Sequence, residues 1–270
     1  MLTKANFIKL NRNILSIHKR SLCDISESCK NNPYEEDFRK HNIPISLFQR
    51  TLLSLGSASM SLLDPYRADM IACLGETTGS HAAKYMSSKM ESSEEGSQIL
   101  RNKPRINSRT VDLHALRKLP EGTLGKVYVD FLDKNNITPD SREPVRFIDD
   151  IELAYIIQRY REIHDLVHAL LGMNINMLGE VTVKWVEAIQ TKLPMCIGGA
   201  LFGPIRLRPK QRRDYLNYYL PWAIETGNNS EFFMNVYFEN RWEQPIQELL
   251  QELNVKPLNI DRNEAFIHIV

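Results

Sequence analysis

The chain has 270 residues, 43% of them hydrophobic and 25% charged, with a net charge of +1. That is enough for one large core or two modest ones, and it is not a disordered composition. So even a balance offers no concentrated basic face, so nucleic acid is not an expected partner. The four cysteines, Cys23, Cys29, Cys73 and Cys196, form neither a CxxC pair nor a secreted-type framework; they read as reduced thiols and none is a candidate ligand.

The first acidic residue is Asp24, whereas Lys4, Lys9, Arg12, Lys19 and Arg20 precede it and Phe7, Leu10, Ile14 and Ile17 recur at helical spacing. An acid-free, basic, amphipathic start predicts a mitochondrial presequence, with an ordinary N-terminal helix as the alternative. Residues 1–40 are assigned to that presequence and a linker. The two longest uncharged stretches, Thr51 to Leu63 and Leu193 to Ile205, have thirteen residues each. A membrane helix needs about 20, so no transmembrane span is expected.

From residue 41 to 258 the apolar spacing predicts one mainly α-helical domain, followed by a short C-terminal tail, 259–270. Leu47, Phe48, Leu52, Leu55 and Leu62 make one stripe, with small residues at Gly56, Ser57, Ala58 and Ser59 for close packing. Asp64 and Pro65 read as the start of a helix that Gly75 ends. GETTG, Gly75 to Gly79, lacks the lysine of a phosphate loop and reads as a helix C-cap and turn. Ser87 to Gln98 reads as a loop or a solvated helix end. Pro120 opens a helix that Asn135 and Asn136 close, and Pro139 and Pro144 keep the next stretch extended or turned. A further helix starts at Asp149 or Asp150 and runs to Leu171, where Gly172 stops it. Downstream, helices are predicted from Pro209 to about Leu220 and from Arg241 to Leu253. Strand-like alternation is brief, at Asn235 to Phe238 and Phe266 to Val270.

The helix ending at Leu171 carries the chemistry. At about 100° per residue, Leu153, Ile157, Tyr160, Val167 and Leu171 share a stripe, and His164 and His168 fall inside it. Two imidazoles one turn apart and directed inward can reach one ion. Asp165 lies at the stripe's edge. Glu180 joins them only if the chain turns after Gly172 and a second helix returns; on that helix it projects off the stripe of Val181, Trp185 and Ile189. Two nitrogens and carboxylates suit Zn2+, with Fe2+, Mn2+ or Co2+ as alternatives. His-x-x-x-His is also the zincin spacing, but Asp165 stands where the zincin glutamate would, which counts against peptide hydrolysis.

The run YIIQRYREIHDLVHALLGMNINMLGEVTVKWVEAIQTKLPM, with its HDxxH-x11-E core, resembles the mitochondrial coenzyme Q (ubiquinone) biosynthesis protein 4 family. PISLFQRTLLSLGSASMSLLDPYRADMIACLGETTG upstream and GPIRLRP, YYLPWA and VYFENRWEQP downstream extend the resemblance over most of the chain. It implies a helical protein on the matrix face of the inner mitochondrial membrane, in a multi-protein coenzyme Q assembly. It implies a divalent ion on His164, Asp165, His168 and Glu180, with Asp165 or Glu180 relaying a proton. The implied activity is C1 decarboxylation of a 4-hydroxy-3-methoxy-5-polyprenylbenzoate, simple or oxidative; a non-enzymatic lipid-binding scaffold is the alternative.

A prenyl tail calls for an apolar tunnel or groove and for contact with the bilayer. LPMCIGGALFGPI, residues 193–205, is the candidate lining. The basic cluster that follows, Arg206, Arg208, Lys210, Arg212 and Arg213, is the candidate contact with lipid headgroups.

Overall fold

The computed structural model describes residues 33–65 and 67–260. The expected presequence helix, Phe7 to Ile17, and the strand-like Phe266 to Val270 lie outside the described residues. Within the stretch assigned to presequence and linker, Pro33–His41 forms a helix (α1) whose Tyr34 is buried against Tyr155. Its Asp37 pairs with Arg105 and Arg109.

Leu47–Leu63 (α2) begins with a capping box in which Ser46 Oγ accepts from the Gln49 amide and Gln49 Oε1 from the Ser46 amide. Asp64 closes this helix rather than opening the next, which runs from Ala68 to Thr78 (α3), through Gly75. Gly79 then joins it to Ser80–Glu91 (α4). The Gly75–Gly79 segment is therefore mostly helix, not a cap and turn. A Cβ on Gly79 would fall 2.2 Å from the Gly75 carbonyl, so only glycine allows the junction. The polar stretch after Ser87 is also largely helical. Ser92 and Ser93 interrupt it, and the Ser93 hydroxyl caps Glu94–Asn102 (α5).

Leu113–Leu116 (α6) is a single turn, and Leu124–Asn135 (α7) ends at Asn136 in the left-handed conformation, as its sequence predicts. Ile151–Leu170 (α8) is capped by Asp150 and followed by Gly172 at φ 65°. It is the axis of the molecule: every residue from Ala154 to Leu170 is buried, with α1, α4 and α7 packed around it. Its off-stripe polar residues are therefore buried too, and each is paired. Arg159 meets Glu239 at 2.8 Å, Arg161 meets Glu76 at 2.7 Å, and Glu162 meets Arg105 at 2.7 Å. A buried charge without a partner is strongly disfavoured, so these contacts fix the rotation of α8.

Met177–Thr191 (α9) returns beside α8 and packs on Pro194–Phe202 (α10) and Leu220–Asn229 (α12). Between them, Pro209–Asp214 (α11) passes into one π-helical turn, Tyr215–Tyr219. Pro221 has no amide hydrogen to continue the regular ladder, so the predicted helix widens and then runs on past Leu220. The last helix, Ile246–Glu252 (α13), starts later than the sequence predicts because Pro245 cannot continue a helix from Arg241. Asn235 to Phe238 lies in 3-10 turns, not a strand. Among the described residues the only β-type contact is an isolated bridge between Thr123 and Pro245, so the mainly α class holds.

Candidate metal centre

The turn between α8 and α9 places the second half of the motif. Gly172 reverses the chain, the Met173 amide bonds back to the His168 carbonyl at 2.9 Å, and the Asn176 side chain accepts from the Gly179 amide at 3.0 Å. Gly179 sits so close to the turn that a Cβ there would lie 1.9 Å from the Asn174 carbonyl. The first turn of α9 thus brings Glu180 back against the two histidines.

His164, His168 and Glu180 offer three donor atoms within 4.8 Å of one another. Glu180 Oε2 is 3.7 Å from His164 Nε2, and Glu180 Oε1 is 3.5 Å from His168 Nε2. The imidazoles stand nearly perpendicular, their centroids 4.8 Å apart. Asp165 is not part of this group. Both its oxygens face Arg142, whose Nε lies at 3.1 Å and whose other nitrogen makes a shorter contact. The position at the stripe's edge turns Asp165 toward the segment before α8 rather than toward Glu180.

The far nitrogens of the histidines settle their tautomers. His164 Nδ1 is 2.5 Å from Glu187 Oε1, and His168 Nδ1 is 3.2 Å from the Met173 carbonyl. A carboxylate and a carbonyl accept only, so both Nδ1 atoms donate; in the neutral imidazoles each Nε2 then presents a lone pair to the space beside Glu180, and in the protonated ones it turns an N–H toward that carboxylate. His168 Nε2 is buried with no hydrogen-bond partner. An orphaned imidazole nitrogen aimed at a carboxylate, with a second imidazole beside it, fits a divalent cation.

Glu187 escapes the sequence reading, as do Lys184 and Arg142. Glu180, Lys184 and Glu187 are spaced i, i+4 and i+7 on α9, so projecting that helix would have found the first two partners on the face of Glu180. Glu187 accepts from His164, from Lys184 Nζ at 2.7 Å and from the Tyr160 hydroxyl at 2.7 Å. Tyr160 in turn lies 3.1 Å from Cys196 Sγ. Burial alone would raise the Glu187 carboxyl, but His164 and Lys184 outweigh it and hold it well below the usual range. Burial would likewise lower His164, yet Glu187 raises it. For Glu180, burial is again opposed and overcome, here by the two imidazoles, so the carboxyl stays ionised. Burial pushes the Cys196 thiol up to about 12, with Glu187 adding to the effect.

A cleft of about 290 Å³ opens on one side of this centre. His164, Glu180, Lys184 and Arg142 form its inner wall, and Pro65, Ala68, Ile71 and Met195 line its apolar side. Lys184 is held protonated: burial acts against its charge, but Glu187 more than restores it. His164 lines the cleft while His168 is buried, and Lys184 and Arg142 share the lining with Arg161 and with the carboxylates of Asp69, Glu143 and Glu180.

The sequence model of the coenzyme Q (ubiquinone) biosynthesis protein Coq4 family matches residues 39–259. A Bombyx mori protein named ubiquinone biosynthesis protein COQ4 homolog, mitochondrial, is 62% identical over 82% of this chain and 86% of its own. An Aedes aegypti protein of the same name is 57% identical over 84% of this chain and 83% of its own. A crystal structure from Nostoc punctiforme PCC 73102, described as that of a candidate ubiquinone biosynthesis protein, superposes with a TM-score of 0.60 at 18% identity. It covers 74% of this chain and 95% of its own, a likeness that supports the fold alone.

Proposed function

The chain belongs to the coenzyme Q (ubiquinone) biosynthesis protein Coq4 family, and from that premise we propose that it is a metal-dependent carboxy-lyase. Its substrate is a 4-hydroxy-3-methoxy-5-polyprenylbenzoate, from which it removes the C1 carboxylate. The observation that carries the reading is the unpartnered, buried His168 Nε2 facing Glu180 at the end of a cleft whose wall also bears Lys184 and Arg142.

His164, His168 and Glu180 would hold the ion, with Zn2+ as the first candidate and Fe2+, Mn2+ or Co2+ as alternatives. When bound, such an ion supplies a Lewis acid that orients an anionic oxygen of the substrate. Glu187 keeps His164 in the tautomer that presents Nε2. Lys184 and Arg142 bring positive charge to the cleft, where an aromatic acid carries a carboxylate at one end of its ring and a phenol at the other. In the simple reaction the electron-rich ring takes a proton at C1. The bond to the carboxylate then breaks, its electron pair restoring the ring as carbon dioxide leaves; in the oxidative form one oxygen atom of dioxygen would replace the carboxylate at C1 and the other would leave as water, giving a quinone and carbon dioxide. Glu180, at the cleft and beside both histidines, is the better-placed carboxylate for relaying that proton. Asp165, closed off by Arg142, serves to hold that arginine at the cleft wall. For the same reason Asp165 is not free to act as the general base of a hydrolase.

The tail would leave along the apolar side formed by Pro65, Ala68, Ile71 and Met195 and continue in an apolar groove. Among the described residues no helix is long and apolar enough to cross a membrane. What the family resemblance supports is peripheral work on the matrix side of the inner mitochondrial membrane, with other coenzyme Q biosynthesis enzymes. Purified protein, assayed for bound metals and incubated with the prenylated acid with and without oxygen, tests the reading. Carbon dioxide release that disappears in His164→Ala is the expected result, and undiminished release from a folded His164→Ala overturns it. A protein that binds the acid but forms no product under either condition would instead be the scaffold.

A further inference from the structure

The helical stripe of α2 points away from the core. Leu47 and Phe48 are 83% and 78% exposed, and Leu52, Leu55, Leu62 and Leu63 are exposed with them. The opposite side of α2 packs on α3 and buries Ser57, with Ala58 half-buried; Gly56 and Ser59, expected at a close packing contact, are exposed with the leucines instead. A second apolar edge, Leu201, Phe202 and Ile205, is exposed at the end of α10. The two edges meet: the Arg206 guanidinium donates to the carbonyls of Leu62 and Leu63, the latter at 3.0 Å, and α3 packs against both helices. The cleft lies where they join, because its apolar wall comes from Pro65, Ala68 and Ile71 at the start of α3 and from Met195 on α10.

The charges around this face are mainly basic: Asp149 pairs with Arg50 at 3.7 Å, Asp69 with Arg67 at 2.7 Å and Asp214 lies 3.9 Å from Arg213, while Arg206, Arg208, Lys210 and Arg212 add a net positive rim. α2 contains Arg50 and no acidic residue, and from Lys192 to Arg213 the chain carries six cations without an intervening acid. Exposed apolar patches of this extent mark interaction surfaces. A second copy docked through the same face would set two cationic edges against each other, whereas an anionic bilayer matches both the apolar area and the charge.

We propose that the outer face of α2, with the Leu201–Ile205 edge and its basic rim, docks on an anionic lipid bilayer and sets the mouth of the metal-site cleft at the membrane surface. A prenylated acid then enters from the lipid without passing through water. This rests on the substrate reading above for what enters, but not for the docking itself.

Vesicle sedimentation of the purified chain tests it, using phosphatidylcholine alone or with phosphatidylglycerol added. Binding should require the anionic lipid and weaken with salt. Leu52→Glu/Leu55→Glu and Lys210→Glu/Arg213→Glu should each reduce it by about tenfold or more while melting temperatures stay unchanged. Binding that both double variants retain overturns the proposal. So does an absence of vesicle binding in a chain whose concentration-dependent dimer is lost in Leu52→Glu/Leu55→Glu. Turnover of a tail-less hydroxymethoxybenzoate separates the two readings. Docking without turnover of any acid leaves the docking face standing and sinks the lyase; turnover without docking does the reverse.

Discussion

His164 Nδ1 and Glu187 Oε1 are 2.5 Å apart, and this contact ties the candidate metal centre to a buried polar chain that continues through Lys184, Tyr160 and Cys196. Carboxylates in this position orient the imidazole and raise its basicity, and their loss costs about 10- to 100-fold in metal affinity. Glu187→Gln should lower affinity within that range, measured by competition against a chelator. Glu187→Ala should do more, because it also strands the Lys184 ammonium in a buried site. Unchanged affinity in both variants would show that His164 does not bind through Nε2.

Metal addition should stabilise the fold, since the three donors converge only in the native state. At a hundredfold excess over the dissociation constant the gain is about 2.7 kcal/mol. With each kcal/mol worth about 2–4 °C in a chain of this size, the melting temperature should rise by about 5–10 °C. His168→Ala and Glu180→Gln should each abolish the rise. Asp165→Asn should retain most of it, because Asp165 faces Arg142 and not the donors.

The contrast between Asp165 and the histidines shows what was legible in the sequence. The Asp150 cap, the Gly172 stop and the inward direction of His164 and His168 are local, set by spacing within one helix, and the structure places all of them as expected. Glu180 needed a turn whose closure spacing only permits. Arg142 is 23 residues from Asp165, on a segment without regular structure, and no periodicity announces such a pair. The stripe on α2 was equally visible, but periodicity identifies which residues share a face and not what covers it; here that face is exposed. Proline and glycine positions misled in the other direction, since α3 runs straight through Gly75.

The Arg142–Asp165 pair should behave as a partly buried ion pair. Asp165 is nearly inaccessible, while Arg142 keeps 29% of its side chain exposed to the cleft. Breaking a fully buried pair costs about 3–5 kcal/mol, and the exposed arginine should bring this to about 2 kcal/mol for Arg142→Met. Asp165→Asn/Arg142→Met should recover part of the loss, read as a coupling energy in denaturant melts. Additive losses would mean that the two side chains act independently.

Stability should also fall at high pH through Cys196. An unfolded cysteine titrates near 8.5, whereas burial pushes this thiol up to about 12. A group raised in the folded state contributes fully below the unfolded value and loses that contribution as pH rises toward the folded one. The unfolding free energy should therefore decline between about pH 8.5 and 12. Cys196→Ser should flatten that part of the profile, and the native thiol should resist alkylation at pH 8. Rapid alkylation of the folded protein at Cys196 would contradict the burial.

Gly179 tests the turn that joins the two halves of the centre. A Cβ there would fall 1.9 Å from the Asn174 carbonyl, and the atom in the way is backbone, which cannot rotate aside as a side chain would. Gly179→Ala must push the start of α9 away from the turn, at a cost of about 1–3 kcal/mol for overpacking. Because Glu180 is the next residue, the displacement acts on the donor that reaches both histidines at 3.5–3.7 Å. The variant should therefore melt lower than the parent and lose most of the metal-dependent rise in melting temperature. Gly198→Ala supplies the comparison, since a Cβ at Gly198 meets nothing within 4 Å. If Gly179→Ala lowered stability yet bound metal as tightly as the parent, Glu180 would not be a ligand, and the centre would reduce to the two histidines.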